Sequence, residues 1–180
     1  MERENLEAWL RGLEDFNDFE AGFGDFAGAF EMLPNAAGLE AYVYPLGFHG
    51  SGSWIALWRK EPTDSWAHAA MVWIDSEGEP WEPFAATPAE GLAMLALDTG
   101  AVYDAAAAAR YNPSREDVAA WGPRTAEALA KCLVRYPGQA EHRARLAAAG
   151  IALPSNALDI AHAALTAHGS FATWLASRAA

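Results

Sequence analysis

The sequence predicts an α+β fold, and three features predict it. Two short apolar runs, Ala41 to Tyr44 and Trp54 to Trp58, flank a glycine-rich stretch. A second pair, Ala69 to Ile74 and Trp81 to Ala85, flanks Asp75-Ser76-Glu77-Gly78-Glu79, the pattern of two strands joined by a short turn. After Thr87 the apolar residues recur at helical spacing, and the last third reads as helix throughout.

The first helix starts near Asn5, where Leu6, Trp9, Leu10 and Leu13 share one face. Glu2, Glu4 and Glu7 stand near the positive end of its dipole. Phe16, Phe19, Phe23, Phe26 and Phe30 then follow at steps of three and four, which places them on one stripe of a helix. Gly22, Gly24 and Gly28 each cost about 1 kcal/mol in a helix, so this one is expected to be broken or partly looped, with its rings in the core. Leu33-Pro34-Asn35 ends the region and Gly38 introduces the first strand.

Gly47, Gly50 and Gly52 are read as loop residues between that strand and the next. In the second strand Trp54, Ala56 and Trp58 alternate with Ile55 and Leu57, so both faces are apolar, as in a strand covered on both sides. The third strand has the same character. The fourth contains Pro80 and Pro83, which cannot donate to a ladder, and is expected to be an edge strand, irregular or short. Thr87-Pro88-Ala89-Glu90 combines a threonine cap, proline at the first helical position and a reciprocal glutamate. That helix runs to about Gly100, and an alanine-rich one follows from Ala101 to Arg110. Ser114 and Thr125 are read as further starts, and helices are expected at Thr125 to Arg135, Gln139 to Ala149, Ser155 to Ala167 and Ser170 onward.

The 180 residues suit one domain, long enough to bury roughly 70% of its unfolded surface. A shift of composition near residue 112 divides the expected domain into a core, 1–111, and a helical extension packed on it, 112–180. Cys132 is the single cysteine, so no internal disulfide forms, and a reducing, cytoplasmic setting is expected. The acidic start of the chain is unlike an export signal, and no apolar stretch reaches membrane-spanning length.

Net charge is −12, and it is unevenly distributed. Residues 1–104 hold 19 acids and 4 bases, a net of −15, whereas residues 105–180 hold 5 acids and 8 bases, a net of +3. Such a field repels nucleic acid and anionic membrane and steers a basic partner to the acidic half, raising association rates by about 10- to 1,000-fold at low salt.

Gly50-Ser51-Gly52-Ser53 is not a phosphate loop, because it lacks a terminal Gly-Lys and leads into a strand. Nor is it a nucleophile elbow, since His49 and Ser53 stand where glycines are required around Ser51. The five histidines lack metal-ligand spacing, so no metal or cofactor is expected. Asp75, Glu77 and Glu79 form an acid-rich turn, where carboxylates are ordinary. Of the eight tryptophans, Trp54, Trp58 and Trp73 are assigned to the core.

Tyr44-Pro45-Leu46-Gly47, followed by Gly50-Ser51-Gly52-Ser53-Trp54-Ile55-Ala56-Leu57-Trp58, then Met71 to Glu79 and the helix from Pro88 to Leu97, resembles the SUKH superfamily. That group includes a yeast cell-wall-synthesis regulator and many bacterial toxin-immunity proteins. The resemblance covers residues 40–100; the N-terminal segment lacks the family's usual helix, and residues 112–180 lie outside it. It implies a curved, mostly antiparallel sheet of about four to six strands backed by helices, and a non-enzymatic role in neutralising a toxin. The protein partner is then expected to be a basic toxin, such as a nuclease, that docks on an acidic face. The residues assigned to that face are Asp64, Asp75, Glu77, Glu79 and Glu82, with Trp66 and Trp81 as anchors. The alternative is a small-ligand sensor or enzyme with a pocket beside the glycine loop, using His49, Ser51 and Trp58.

Overall fold

The computed structural model describes residues 1–13, 15–30, 33, 38–77, 82–111 and 118–178. Its centre is a five-stranded antiparallel sheet in the order β1 (Phe19–Ala21), β2 (Val43–His49), β3 (Trp54–Trp58), β4 (Ala70–Ile74) and β5 (Glu82–Ala85), each strand pairing with its neighbour in sequence. Around it lie α1 (Arg3–Arg11), α2 (Phe26–Phe30), α3 (Pro88–Met94), α4 (Thr99–Tyr111), α5 (Val118–Arg135), α6 (Gly138–Ala148), α7 (Ala157–His168) and α8 (Phe171–Arg178). The fold is therefore α+β, as predicted, with helices on both faces of the sheet.

The alternation within β3 explains the two layers. Ile55 and Leu57 join Leu46, Met71, Trp73 and Phe84 in a core closed by α1, α3, α4 and parts of α5 to α7. Trp54, Ala56 and Trp58 face the other way, into a second core with Val72, Ile74, Phe30, Phe171 and Leu175. A central strand buried on both faces is apolar on both faces. The same requirement holds for β4, every residue of which is buried. β5 lies at the sheet edge, is four residues long and pairs with a register shift, so Pro83 removes no donor from a central ladder.

The phenylalanine series is not a helical stripe. Asp15, Asn17 and Asp18 have φ values of 45°, 57° and 51°, a left-handed backbone that short polar side chains tolerate and that no right-handed helix contains. The chain turns there, forms edge strand β1 and only then enters the short α2. The rings divide between the layers: Phe16, Phe19 and Phe23 pack with the first core, Phe26 and Phe30 with the second. Asn17, fully buried, ties this turn to the segment after α3, distant in sequence, by donating to Leu95 O at 3.2 Å and Leu97 O at 2.9 Å. The buried Cys132 thiol donates to its Oδ1, and burial pushes that thiol's pKa up to about 12, leaving it unreactive.

Gly47 lies inside β2, where the sequence reading had a loop. A Cβ there would stand 2.3 Å from Glu20 O and 2.4 Å from the Phe19 ring, so the glycine lets β1 approach β2. Gly47→Ala is expected to destabilise the protein by about 1–3 kcal/mol, read as a lower urea midpoint at unchanged m. A midpoint equal to the parent's would show that β1 moves aside freely.

The Thr87 cap forms as predicted: its Oγ1 accepts from Glu90 N–H at 3.3 Å, and Glu90 accepts in return from Ala86 N–H at 3.0 Å. α3 ends at Met94, earlier than expected, because Asp98 caps a new helix by accepting from Ala101 N–H at 2.9 Å. Thr125 starts no helix. It is buried within α5, which runs from Val118 through Pro123, and its Oγ1 accepts from Ala157 N–H at 2.9 Å at the start of α7. The start read at Ser114 lies outside the described residues. α7 lies against β5 and α4, and α8 also meets β5, so helices from residues 112–180 pack directly on the sheet region. No helix among the described residues is long and apolar enough to cross a membrane.

Candidate functional site

The turn between β2 and β3 is built by short-range bonds. Gly52 N–H donates to His49 O at 2.7 Å, His49 N–H to Ser53 O at 2.8 Å, and Gly50 N–H to Asp18 O at 3.1 Å. Ser53, fully buried, donates its hydroxyl to Asp75 Oδ1 at 2.8 Å and accepts from Ser76 N–H at 3.2 Å. Ser76 Oγ donates to Ser51 O at 2.9 Å. The serines of the glycine loop thus fasten it to the end of β4 and fix the Asp75 carboxylate.

His49 is the junction of this end of the sheet. Its Nδ1 accepts from Ser51 N–H at 3.2 Å and lies 2.9 Å from Ser51 Oγ. A backbone N–H only donates, so the ring proton resides on Nε2, which is 3.0 Å from Thr99 Oγ1 and 4.0 Å from Asp18 Oδ2. Partial burial lowers the His49 pKa and outweighs the Asp18 carboxylate, which raises it, so the ring is neutral at pH 7. Asp18 is also held by Tyr136, whose hydroxyl donates at 2.7 Å, and by Arg135 at 3.4 Å.

Three hollows lie around this turn and the start of α4. One, of about 350 Å³, is lined by His49, Ser51, Trp73, Asp75, Glu77 and Tyr103, among others. It meets a second, of about 460 Å³, at Gly100; Asp98, Asp104, Arg124 and Trp121 line that one. On the other side of the turn, Asp15, Asp18, Glu20 and Gly50 border a third of about 530 Å³. The Asp104 carboxyl is raised above its ordinary range by partial burial, then by the neighbouring Asp98 carboxylate.

The structure divides the residues assigned from sequence. Asp75, Glu77, His49 and Ser51 meet at the first hollow. Asp64 and Trp66 do not: they lie beyond the opposite end of β4, a strand roughly 17 Å long at 3.4 Å per residue. There Asp64 accepts from Glu61 N–H at 3.2 Å, and Trp66 carries the Arg59 guanidinium 4.1 Å above its ring. Glu82 is no surface carboxylate. It is 2% exposed, accepts from Ser170 Oγ and Phe171 N–H and pairs with Arg110. Trp58 is fully buried in the second core, on the sheet face away from His49, because alternate residues of β3 point to opposite sides. Glu79 and Trp81 lie outside the described residues.

Asp18, Asp98, Thr99, Tyr103 and Asp104 complete the site and were not found from sequence. Thr99 is 50 positions from His49, and no local pattern connects them. Asp98-Thr99-Gly100 carried one legible signal, that of a capped helix start. Among the described residues no group of three His, Cys, Asp or Glu side chains is placed to hold a metal ion. Compared with protein families, curated proteins and solved structures, the chain has no match.

Proposed function

We propose that the protein is a non-enzymatic, cytoplasmic binding protein of the immunity type, which neutralises a basic protein partner by covering it with the acidic end of its sheet. The observation that carries this reading is the recurrence of carboxylates, Asp15, Asp18, Glu20, Asp75, Glu77, Asp98 and Asp104, in the lining of three hollows around the β2–β3 turn and α4. Arg135 and Arg124 offset part of that charge, in keeping with a surface whose pattern selects a partner as well as attracting one. On a nucleic-acid-cleaving partner such carboxylates would take the place of the substrate's phosphates, and they supply electrostatic steering. The resemblance to the SUKH superfamily points the same way.

The test uses the product of the neighbouring gene. Its expression is expected to be toxic, and co-expression of this protein to restore growth. Charge reversal at the exposed Glu20 and Glu77 together is expected to abolish rescue while leaving the protein folded. Full rescue by the reversed variant would exclude this surface, and absence of rescue by the parent protein would exclude the immunity reading.

One observation favours the small-ligand or enzymatic reading: the Ser51 hydroxyl, the His49 ring and the Asp18 carboxylate lie in sequence at 2.9 and 4.0 Å. Against it, Ser51 Oγ is also positioned to donate to Ser53 at 3.1 Å, which leads its proton toward Asp75. Covalent capture of Ser51 by a serine-directed fluorophosphonate would favour the enzyme.

A further inference from the structure

We propose that the hollow between the β2–β3 turn and the start of α4 is a receptor for a guanidinium group and takes one arginine side chain of the partner. Only the origin of that arginine rests on the binding function above; the recognition follows from the lining. The hollow, about 350 Å³, is near the lower limit of small-ligand sites, of a size for one long side chain. One part of its wall is aromatic. Trp73 and Tyr103 meet edge to face with centroids 6.5 Å apart, and the His49 ring lies 6.0 Å from Trp73. The remaining wall carries the Asp75 and Glu77 carboxylates with the hydroxyls of Ser51 and Thr99.

No Lys or Arg is among its described lining residues, so a phosphate or carboxylate ligand meets only like charge. A cation is attracted by both parts of the wall. Guanidinium suits them better than ammonium: it is planar, weakly hydrated, stacks on aromatic faces and gives paired hydrogen bonds to a carboxylate. Ammonium loses more hydration on entering so small a space. The receptor is also held in place before binding. Ser53 fixes Asp75 at 2.8 Å, and Thr99 and Ser51 hold His49 from its two nitrogens. Trp73, 3% exposed and anchored in the first core, backs the partly buried Tyr103 ring, which offers the stacking face. A side chain entering between these groups encounters few that must be ordered first.

The probe is acetyl-Gly-Arg-Gly-amide, titrated into the full chain with the Trp73 indole N–H resonance as readout and the Lys and Glu peptides as comparators. The expected result is saturable binding in the millimolar range, with shifts confined to Trp73, Tyr103, Thr99 and their neighbours. The Lys peptide should bind about fivefold more weakly, and the Glu peptide should give no shift. Glu77→Gln and Tyr103→Leu should each weaken the Arg peptide about fivefold, Tyr103→Phe should keep most of the affinity, and Glu40→Gln, at a remote exposed acid, should change nothing. If Tyr103→Leu does not fold, the exposed Glu77 decides alone. Equal shifts from Arg and Lys spread over all acidic surfaces, or no saturation with the protein folded, would overturn the proposal. Rescue from the neighbouring toxin without Arg-peptide binding would sink this inference and keep the binding function. Arg-peptide binding without rescue would do the reverse.

Discussion

Glu82→Ala is expected to lower the free energy of unfolding by roughly 2–4 kcal/mol, the range for losing hydrogen bonds to a buried carboxylate and leaving a buried N–H without its acceptor. The carboxylate is 2% exposed at the end of β5. Oε1 accepts from Ser170 Oγ at 2.7 Å and faces Arg110 Nε at 3.3 Å, while Oε2 accepts from Phe171 N–H at 3.2 Å. One side chain therefore joins the sheet edge, the end of α4 and the turn between α7 and α8. Alanine leaves the buried Phe171 N–H without this acceptor and the half-exposed Arg110 without its counter-charge. Glu82→Gln, which keeps the shape and loses the charge, should cost less than alanine, and Ser170→Ala about 1 kcal/mol, the value of one hydrogen bond. Urea unfolding of the three variants measures the series. A loss below 1 kcal/mol for alanine would show that the helices hold the edge strand without this network. A docking residue, by contrast, would change stability little when truncated.

Acidification is expected to destabilise the protein below pH 6.5, and His142 is the main single cause. Its ring is fully buried, with Nδ1 accepting from Trp9 Nε1–H at 3.1 Å and Nε2 donating to Leu92 O at 2.8 Å. Both nitrogens are thereby committed to the neutral ring, and burial lowers the pKa from 6.5 to about 4. Because the folded value is the lower one, the unfolded chain binds the extra proton between those limits, and stability falls as pH falls through them. The total is about 3 kcal/mol, lost at a rate of up to 1.4 kcal/mol per pH unit. His49 and His168, both lowered by burial, add to the loss in the same direction. His142→Gln retains a donor and an acceptor without titrating, so its urea midpoint should change less between pH 6.5 and 5, above the main carboxylate range. An unchanged slope would assign the acid sensitivity to other groups.

The candidate site was partly legible because part of it is local. His49, Ser51, Asp75 and Glu77 all lie on the two turns at one end of the sheet, and a hairpin reading of the sequence brings those turns together. Asp64 and Glu82 were grouped with them because all are acids near strands. Nothing local states that Asp64 stands at the other end of β4 or that Glu82 is enclosed by α8. Asp18 was unreadable for a different reason. The phenylalanine spacing fits a helix, and only three residues with left-handed backbone, stabilised by the burial of Asn17, divert the chain into an edge strand. Where tertiary contacts supply the energy, a periodic pattern loses its authority.

By itself the sequence determined the α+β class, the central place of β3 and β4, the edge position of β5, the capped start of α3 and the helical last third. These rest on interactions within a few residues, or on an alternation set by which faces are buried, and both are written along the chain. Only the tertiary structure decided that β1 exists, that Gly47 admits it, that Glu82 is interior and that Thr99, Tyr103 and Asp18 meet His49. Each of those depends on contacts between residues far apart in sequence, where burial and hydrogen bonding override local preference. The acidic hollows around His49 belong to that second group.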